Sequence, residues 1–543
     1  MIKVIYFRFC CCLLVLIILT AACVPNQQTD NSNTENKFTS ASIPKAKLGK
    51  SRSLSTDFMC YDVNSTQVED WSDLDFIAAV QDLYAAKLRI PGGDVGNYWD
   101  WQRGGLIENA DALRHKIKGL PAYTQEFNSL PTGLPFFLRF KTHQYTASKL
   151  SDFLQGLNAT NTEPIFVLNM LTSSLESQLE MLRYARDLGI EIKQVELGNK
   201  FYFDIPNYQK TFSNPRAYGL TAKAWTEAIK QEFPDAQIAI VGVVPNPDKP
   251  PRLQHWNKVM RGTVLPIADA ITLHIYNGHG LDTPPQQTDI YPYFETESVP
   301  IILGEPFRNW QKLIADSNYQ AIPDNKKIWI TEYNLFEDIF SDDNNRPIPR
   351  VAGSWTHGLY NLATSLLFLE ESRIESICNH SLIESSLFGA ILNTRDSFIN
   401  PADKTMQATP MSLSATGSAL SLLGQATQEM TNASPIELPL STQLTGKNNF
   451  AYPALYGWHF SNATKQTAIV LNLSDQRESV DFSALFADSK YKYRQVSALP
   501  QDLVNHPDVF MKSSQEGNNL IVLPAYSVTL IAEATETNFY ELN

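Results

Sequence analysis

Basic residues are in short supply. The 543-residue chain carries 44 Lys and Arg against 57 Asp and Glu, a net charge of −13. A nucleic-acid partner needs a basic face to neutralise phosphates, so that class is excluded. Histidine is scarce, with 9 residues and none in a ligand spacing such as HExxH, so neither a metal nor an organic cofactor is implied. No Gly-rich phosphate turn follows the first predicted strand, which removes the dinucleotide-binding reading of an open doubly wound sheet. Cysteine is scarcer still: of 6, three (Cys10, Cys11 and Cys12) fall in the leading segment. The apolar run from Cys10 to Leu19 is shorter than the about 20 residues that span a bilayer.

That run follows Lys3 and Arg8 and ends in Thr20-Ala21-Ala22-Cys23. A charged start, a short apolar stretch and small residues make a secretory signal, here expected over 1–22. The ending resembles a bacterial lipobox, which predicts lipidation of Cys23 and a membrane-held place in the cell envelope. In a Gram-negative source that is the outer membrane. The alternative is an ordinary secretory signal cleaved nearby. Residues 23–55 begin rich in Asn, Gln, Thr and Ser, too polar to bury a core, and are expected to form a tether.

Apolar residues at 43% and charged residues at 19% mark the remainder as globular, and its length predicts at least two domains. Over 56–425, short β-branched runs alternate with amphipathic stretches. The predicted strands are FMCYDV (58–63), KLRIP (87–91), PIFVLNM (164–170), KQVELGN (193–199), QIAIVGVV (237–244), AITLHIY (270–276), KIWITEY (327–333) and IESICNH (374–380). The intervening SLESQLEMLRYARDLG places Leu175, Leu179, Leu182 and Ala185 at helical spacing. Eight such units predict an α/β fold, a closed (β/α)8 TIM barrel. Closure makes the first and last strands neighbours, bringing Cys60 and Cys378 together either as a disulfide or as two unlinked thiols. Over 426–543, short alternating runs such as YGWHFS and SVTLIAE predict a C-terminal antiparallel β-sandwich.

Side chains at the carboxyl ends of barrel strands face the functional site. Arg89 ends the second strand; Asn199 and Lys200 end the fourth. His274 and Tyr276 end the sixth with equal parity, and Glu332 ends the seventh. A glutamate beside a cation and a phenol stays ionised and is a candidate nucleophile. The long segment from Gly92 to Pro164 is aromatic, including Tyr98, Trp99, Trp101, Tyr123 and Phe127. Trp99 and Trp101 are candidate substrate-binding residues in a cleft at the barrel mouth.

The phrases LRIPGGDVGNYWDW, PIFVLNMLTSSLESQLEMLRYARDLGIEIKQVELGN, ITLHIYN and IWITEYN resemble the strand motifs of clan A glycoside hydrolases, closest to the α-L-arabinofuranosidase-like branch. GSWTHGLYN and LPAYSVTLI resemble the same branch. The resemblance implies a retaining hydrolase acting on a polysaccharide or oligosaccharide. Glu332 would be the nucleophile, oriented by Arg89 and Tyr276. Asn199 would hydrogen-bond the sugar 2-hydroxyl, and His274 would line the subsite.

The sequence departs from that pattern at two places. Where the family has Asn-Glu, with Glu as general acid/base, this chain has Asn199-Lys200, and the tryptophan near the eighth strand end is missing, with Asn379 and His380 there. Retaining hydrolysis needs two carboxyl groups about 5–5.5 Å apart. An ammonium beside Glu332 can lock it in a salt bridge, and it cannot both protonate the leaving group and activate water. Among substitutes, Asp204 is the best placed. Glu196 shares parity with Lys200 but lies four residues back, about 13 Å deeper at 3.3 Å per residue, and reads as structural. Glu305, Glu337 and Glu384 read as surface charge. A non-catalytic surface glycan-binding protein is therefore the alternative to a weak or inactive hydrolase.

Overall fold

The computed structural model describes residues 43–533 except for 66–67, 105–147, 205, 245–250, 282–293, 337–339, 342–346, 349–350, 385–386, 394–409, 439–441, 487–490, 503–512 and 517–519. Cys23, Glu337, Tyr123 and Phe127 lie outside the described residues. Among the described residues, no helix is long and apolar enough to cross a membrane.

Eight parallel strands close into a barrel: β1 (Met59–Asp62), β2 (Lys87–Ile90), β3 (Glu163–Val167), β4 (Gln194–Leu197), β5 (Gln237–Val241), β6 (Ala270–Gly278), β7 (Lys327–Phe336) and β8 (Ile374–His380). Each overlaps a strand expected from the sequence. Closure pairs Cys378 with Cys60 across β8 and β1, and the two are joined by a disulfide. Both cysteines are fully buried with Ile165, Ala239, Ala270 and Trp329, which fill the interior below the mouth.

Helices form the outer ring for local reasons. In α1 (Leu74–Asp82), the Asp73 carboxylate caps the Asp75 and Phe76 amides. Helix α2 (Leu150–Thr160) follows the aromatic segment. In α3 (Leu175–Asp187), Ser174 accepts from the Ser177 amide while Leu179, Leu182 and Ala185 are buried, so the apolar stripe faces the sheet. Asn214 and Pro215 start α4 (Pro215–Glu232). Helices α5 (Trp256–Thr263) and α6 (Val299–Ile314) follow in turn.

The last two helices, α7 (Trp355–Phe368) and α8 (Ala415–Thr427), tie the barrel to the C-terminal domain. Every residue of α7 is buried. Its Trp355 indole donates to the Tyr526 carbonyl and its Thr356 hydroxyl to the Pro500 carbonyl. The C-terminal domain is an antiparallel sheet containing β9 (Asn432–Glu437), β10 (Leu455–Ser461), β11 (Gln466–Asn472) and β12 (Ser527–Glu533), in that spatial order. A two-stranded sheet, Glu478–Asp481 with Leu520–Leu523, covers it. Val480, Ile521 and Leu523 pack there with Ala468, Val470 and Ile531.

One boundary moves. The tether expected to run to residue 55 ends earlier, because Lys47–Leu48 and Arg52–Ser53 both pair antiparallel with β9. Ala46 is fully buried in the sandwich core. The polar composition that suggested a tether belongs to the residues before this stretch.

Candidate active site

A register shift aims the central carboxylate. Along β6 and β7, Leu273 pairs with Ile330 but His274 pairs with Glu332, leaving Thr331 as an extra residue on β7. Simple alternation from Trp329 would turn Glu332 away from the axis. The bulge brings Thr331 and Glu332 both to bear on the mouth. Thr331 donates to Glu196 at 3.2 Å, and its hydroxyl meets His274 Nε2 at 3.0 Å.

Both oxygens of the fully buried Glu332 are taken. Arg89 Nη1 donates to Oε1 at 3.1 Å. The Tyr276 hydroxyl donates to Oε2 at 2.7 Å, and Lys200 Nζ stands 2.7 Å from the same oxygen. The four residues expected to meet, Glu332, Arg89, Tyr276 and Lys200, therefore do. His274 adjoins them, its Nδ1 3.5 Å from Glu332 Oε2, and that nitrogen is buried without a hydrogen-bond partner among the described residues.

Arg89 organises the layer beneath. Its guanidinium also donates to Asp62 Oδ1 and Glu196 Oε2, each at 2.6 Å, and to Asn199 Oδ1 at 2.8 Å. Glu196 is thus not remote from Glu332; one guanidinium spans both carboxylates. The expected 13 Å of separation fails because the chain does not stay extended. Strand β4 ends at Leu197, and Gly198 (φ 82°) and Lys200 (φ 49°) turn it. A Cβ on Gly198 would lie 2.0 Å from the Phe201 ring, so glycine is required there.

A left-handed lysine costs about 1–2 kcal/mol. Asn97 offsets it by gripping the preceding residue: its Oδ1 accepts from the Asn199 amide at 3.0 Å, and its Nδ2 donates to the Asn199 carbonyl at 2.8 Å. The Asn199 side chain is fully buried, with Oδ1 held by Arg89 and Nδ2 donating to Asp94 at 2.7 Å. A sugar hydroxyl would have to displace one of these bonds to use it.

Charge in this cluster is settled by proximity. Burial would raise the Glu332 carboxyl, but His274, Lys200, His380 and Arg89 outweigh it and hold the group well below the carboxylate range. Burial pulls Lys200 down, yet Glu332, Asp94 and Tyr202 push it above the usual ammonium value. Lys200 is therefore a permanent cation, unable to act as a base. His274 is neutral, since burial together with Lys200 and Arg89 outweighs the attraction of Glu332. The cations acting on Glu332 are thus Lys200, His380 and Arg89.

Some candidates go elsewhere. Trp99 is buried, donates to the Ser148 carbonyl and packs on Phe153 of α2. Trp101 donates to Ser177 and tilts on Tyr184 of α3. Trp99 is packed away as core, while Trp101 is half-buried with its ring against Tyr184. Asp204 is exposed and accepts from Gln209. Glu305 is not surface charge but a buried carboxylate paired with Arg308 on α6. Glu384 is not bulk surface either. It accepts from Ser381 at 3.1 Å and faces His380 Nε2 at 3.4 Å.

Sequence reasoning passed over Asp62 and His380 as working residues. The strand-end argument applied to Arg89 and Glu332 also covers Asp62, the last residue of β1. Asp62, Glu332 and His380 present oxygen and nitrogen atoms within 4.8 Å of one another, a spacing that would suit a metal ion. The donors do not fit one well, since a metal would compete with Arg89, Lys200 and the histidine proton already neutralising both carboxylates.

No model of a known protein family matches the sequence, and no curated protein matches it. Solved structures do. A family 51 α-L-arabinofuranosidase from Bifidobacterium longum aligns over 90% of this chain and 100% of its own, with a TM-score of 0.60 and 13% identity. The likeness is one of fold: a closed eight-stranded parallel barrel followed by an antiparallel β-domain. The family 51 arabinofuranosidase from Xanthomonas axonopodis pv. citri gives a TM-score of 0.62 at 14% identity, covering 90% and 99% of the two chains. The same glycosidase fold carries other specificities. A 4-O-α-L-rhamnosyl-β-D-glucuronidase from Fusarium oxysporum aligns over 90% of this chain and 99% of its own, at a TM-score of 0.54 and 11% identity.

Proposed function

We propose that the chain is a lipid-anchored retaining glycoside hydrolase of low turnover, acting on polysaccharide side chains such as α-L-arabinofuranosides. The observation that carries this reading is an ionised Glu332 gripped by Arg89 and Tyr276 at the mouth of the closed barrel. Such a carboxylate can attack an anomeric carbon and form a covalent glycosyl-enzyme intermediate. Lys200 is what limits it. The ammonium must release Oε2 before attack, and it cannot cycle between acid and base.

The second reading is a surface glycan-binding protein without turnover, favoured by the same 2.7 Å Lys200–Glu332 contact and the complete burial of Glu332. Aryl α-L-arabinofuranosides separate the two. The hydrolase reading predicts slow release of a dinitrophenyl leaving group, with oligosaccharide binding measured alongside. Binding without release, even from dinitrophenyl glycosides and after Lys200→Glu, leaves the binding protein.

A further inference from the structure

We propose that His380, oriented by Asp62, is the residue that passes the proton in this site. The proposal rests on the hydrolase reading. His380 ends β8, and its Nδ1 hydrogen-bonds Asp62 Oδ2 at 2.6 Å, which fixes the ring and leaves Nε2 for other work. Among the described residues, the polar neighbour of Nε2 is Glu384 Oε2 at 3.4 Å. His380 is the most exposed cation of the cluster, at 16% against 14% for Lys200 and 0% for Arg89. A ring nitrogen of His380 and an oxygen of each of Asp62 and Glu332 all lie within 4.8 Å of one another, so the ring stands beside the Glu332 carboxylate.

The groups facing His380 come from several elements: Asp62 on β1, Glu332 on β7, Tyr276 and His274 on β6, and Glu384 just beyond β8. Burial lowers its pKa, but Asp62 and Glu384 raise it to about 10. It therefore holds a proton at neutral pH, more loosely than Lys200, whose ammonium is pinned against Glu332. The steps balance. A Glu332 oxygen bonds to the anomeric carbon while the glycosidic bond breaks, and the leaving oxygen takes the Nε2 proton with its electron pair. The neutral imidazole then takes a proton from water as that water attacks the same carbon. The bond to Glu332 breaks, restoring the carboxylate and the imidazolium.

The test compares wild type with His380→Gln on aryl glycosides of graded leaving-group acidity. The variant should lose about 10²–10³-fold in kcat/KM on phenyl glycosides, within the range of acid/base assistance, and far less on dinitrophenyl glycosides. Azide should rescue its turnover and yield a glycosyl azide of retained configuration, because azide brings no proton to remove. If His380→Gln perturbs the fold, as judged by circular dichroism, Glu384→Gln serves instead. Removing that carboxylate should move the basic limb of the kcat/KM profile to lower pH. Wild type inert even to dinitrophenyl glycosides would overturn the hydrolase reading and this proposal together. Active wild type, with unchanged leaving-group dependence and no azide rescue in His380→Gln, would overturn the role of His380 alone.

Discussion

The β7 and β4 sides of the barrel mouth are both shaped by irregular backbone, yet they present opposite charges to the same point. On β7 an extra residue turns Glu332 inward to meet Arg89 and Tyr276. On β4 a left-handed turn held by Asn97 delivers Lys200 to the same carboxylate oxygen. The first side presents a carboxylate held by a cation and a phenol. The second presents an ammonium on a turn gripped by Asn97 and Gly198 rather than by the side chain at position 200.

The largest expected effect breaks this asymmetry directly. Lys200→Glu should raise turnover on glycosides with poor leaving groups by about 10²–10⁴-fold, read as kcat/KM on phenyl α-L-arabinofuranoside. Glu332→Gln should do the reverse to the fold, leaving Arg89 and Lys200 without their shared anion. Urea unfolding should report a loss of about 3–5 kcal/mol.

Protonation sharpens the contrast further. His380 has its folded pKa raised to about 10 from 6.5, so the stability it contributes is fully present below pH 6.5 and lost as pH rises through 10. For Glu332 the folded value is depressed, so its contribution is present above pH 4.5 and lost as pH falls. Stability should therefore decline from neutrality towards pH 10, by on the order of 4 kcal/mol from His380. In His380→Gln that alkaline decline should flatten while the acid limb remains. The smallest effect marks the edge of the site: Asp204→Asn should change stability by less than about 0.5 kcal/mol and leave the pH profile of turnover in place.

Much of the barrel was legible because each strand is a short β-branched run with a single periodicity, and because equal parity of His274 and Tyr276 needs only the strand itself. The depth of Glu196 was misjudged because extended spacing was carried past Leu197, where Gly198 and Lys200 leave the strand. The bulge at Thr331 was hidden for a related reason: register belongs to two strands, and one strand read alone does not reveal it. The indole of Trp99 is taken up by Phe153 of α2, a contact between distant residues that the sequence run alone does not reveal. Asp62 and His380 meet where β1 and β8 close the barrel, two residues beyond Cys60 and Cys378 in the same register, so the closure that paired the cysteines also carried this pair and was not followed to the strand ends.

The most direct measurement is covalent trapping with an activated 2-deoxy-2-fluoro aryl arabinofuranoside, followed by peptide mass spectrometry of wild type and Lys200→Glu. A glycosyl adduct on the peptide containing Glu332 is expected in both, formed faster in Lys200→Glu. An adduct on another carboxylate, or none in either protein while the sugar still binds, would show that Glu332 is not a nucleophile.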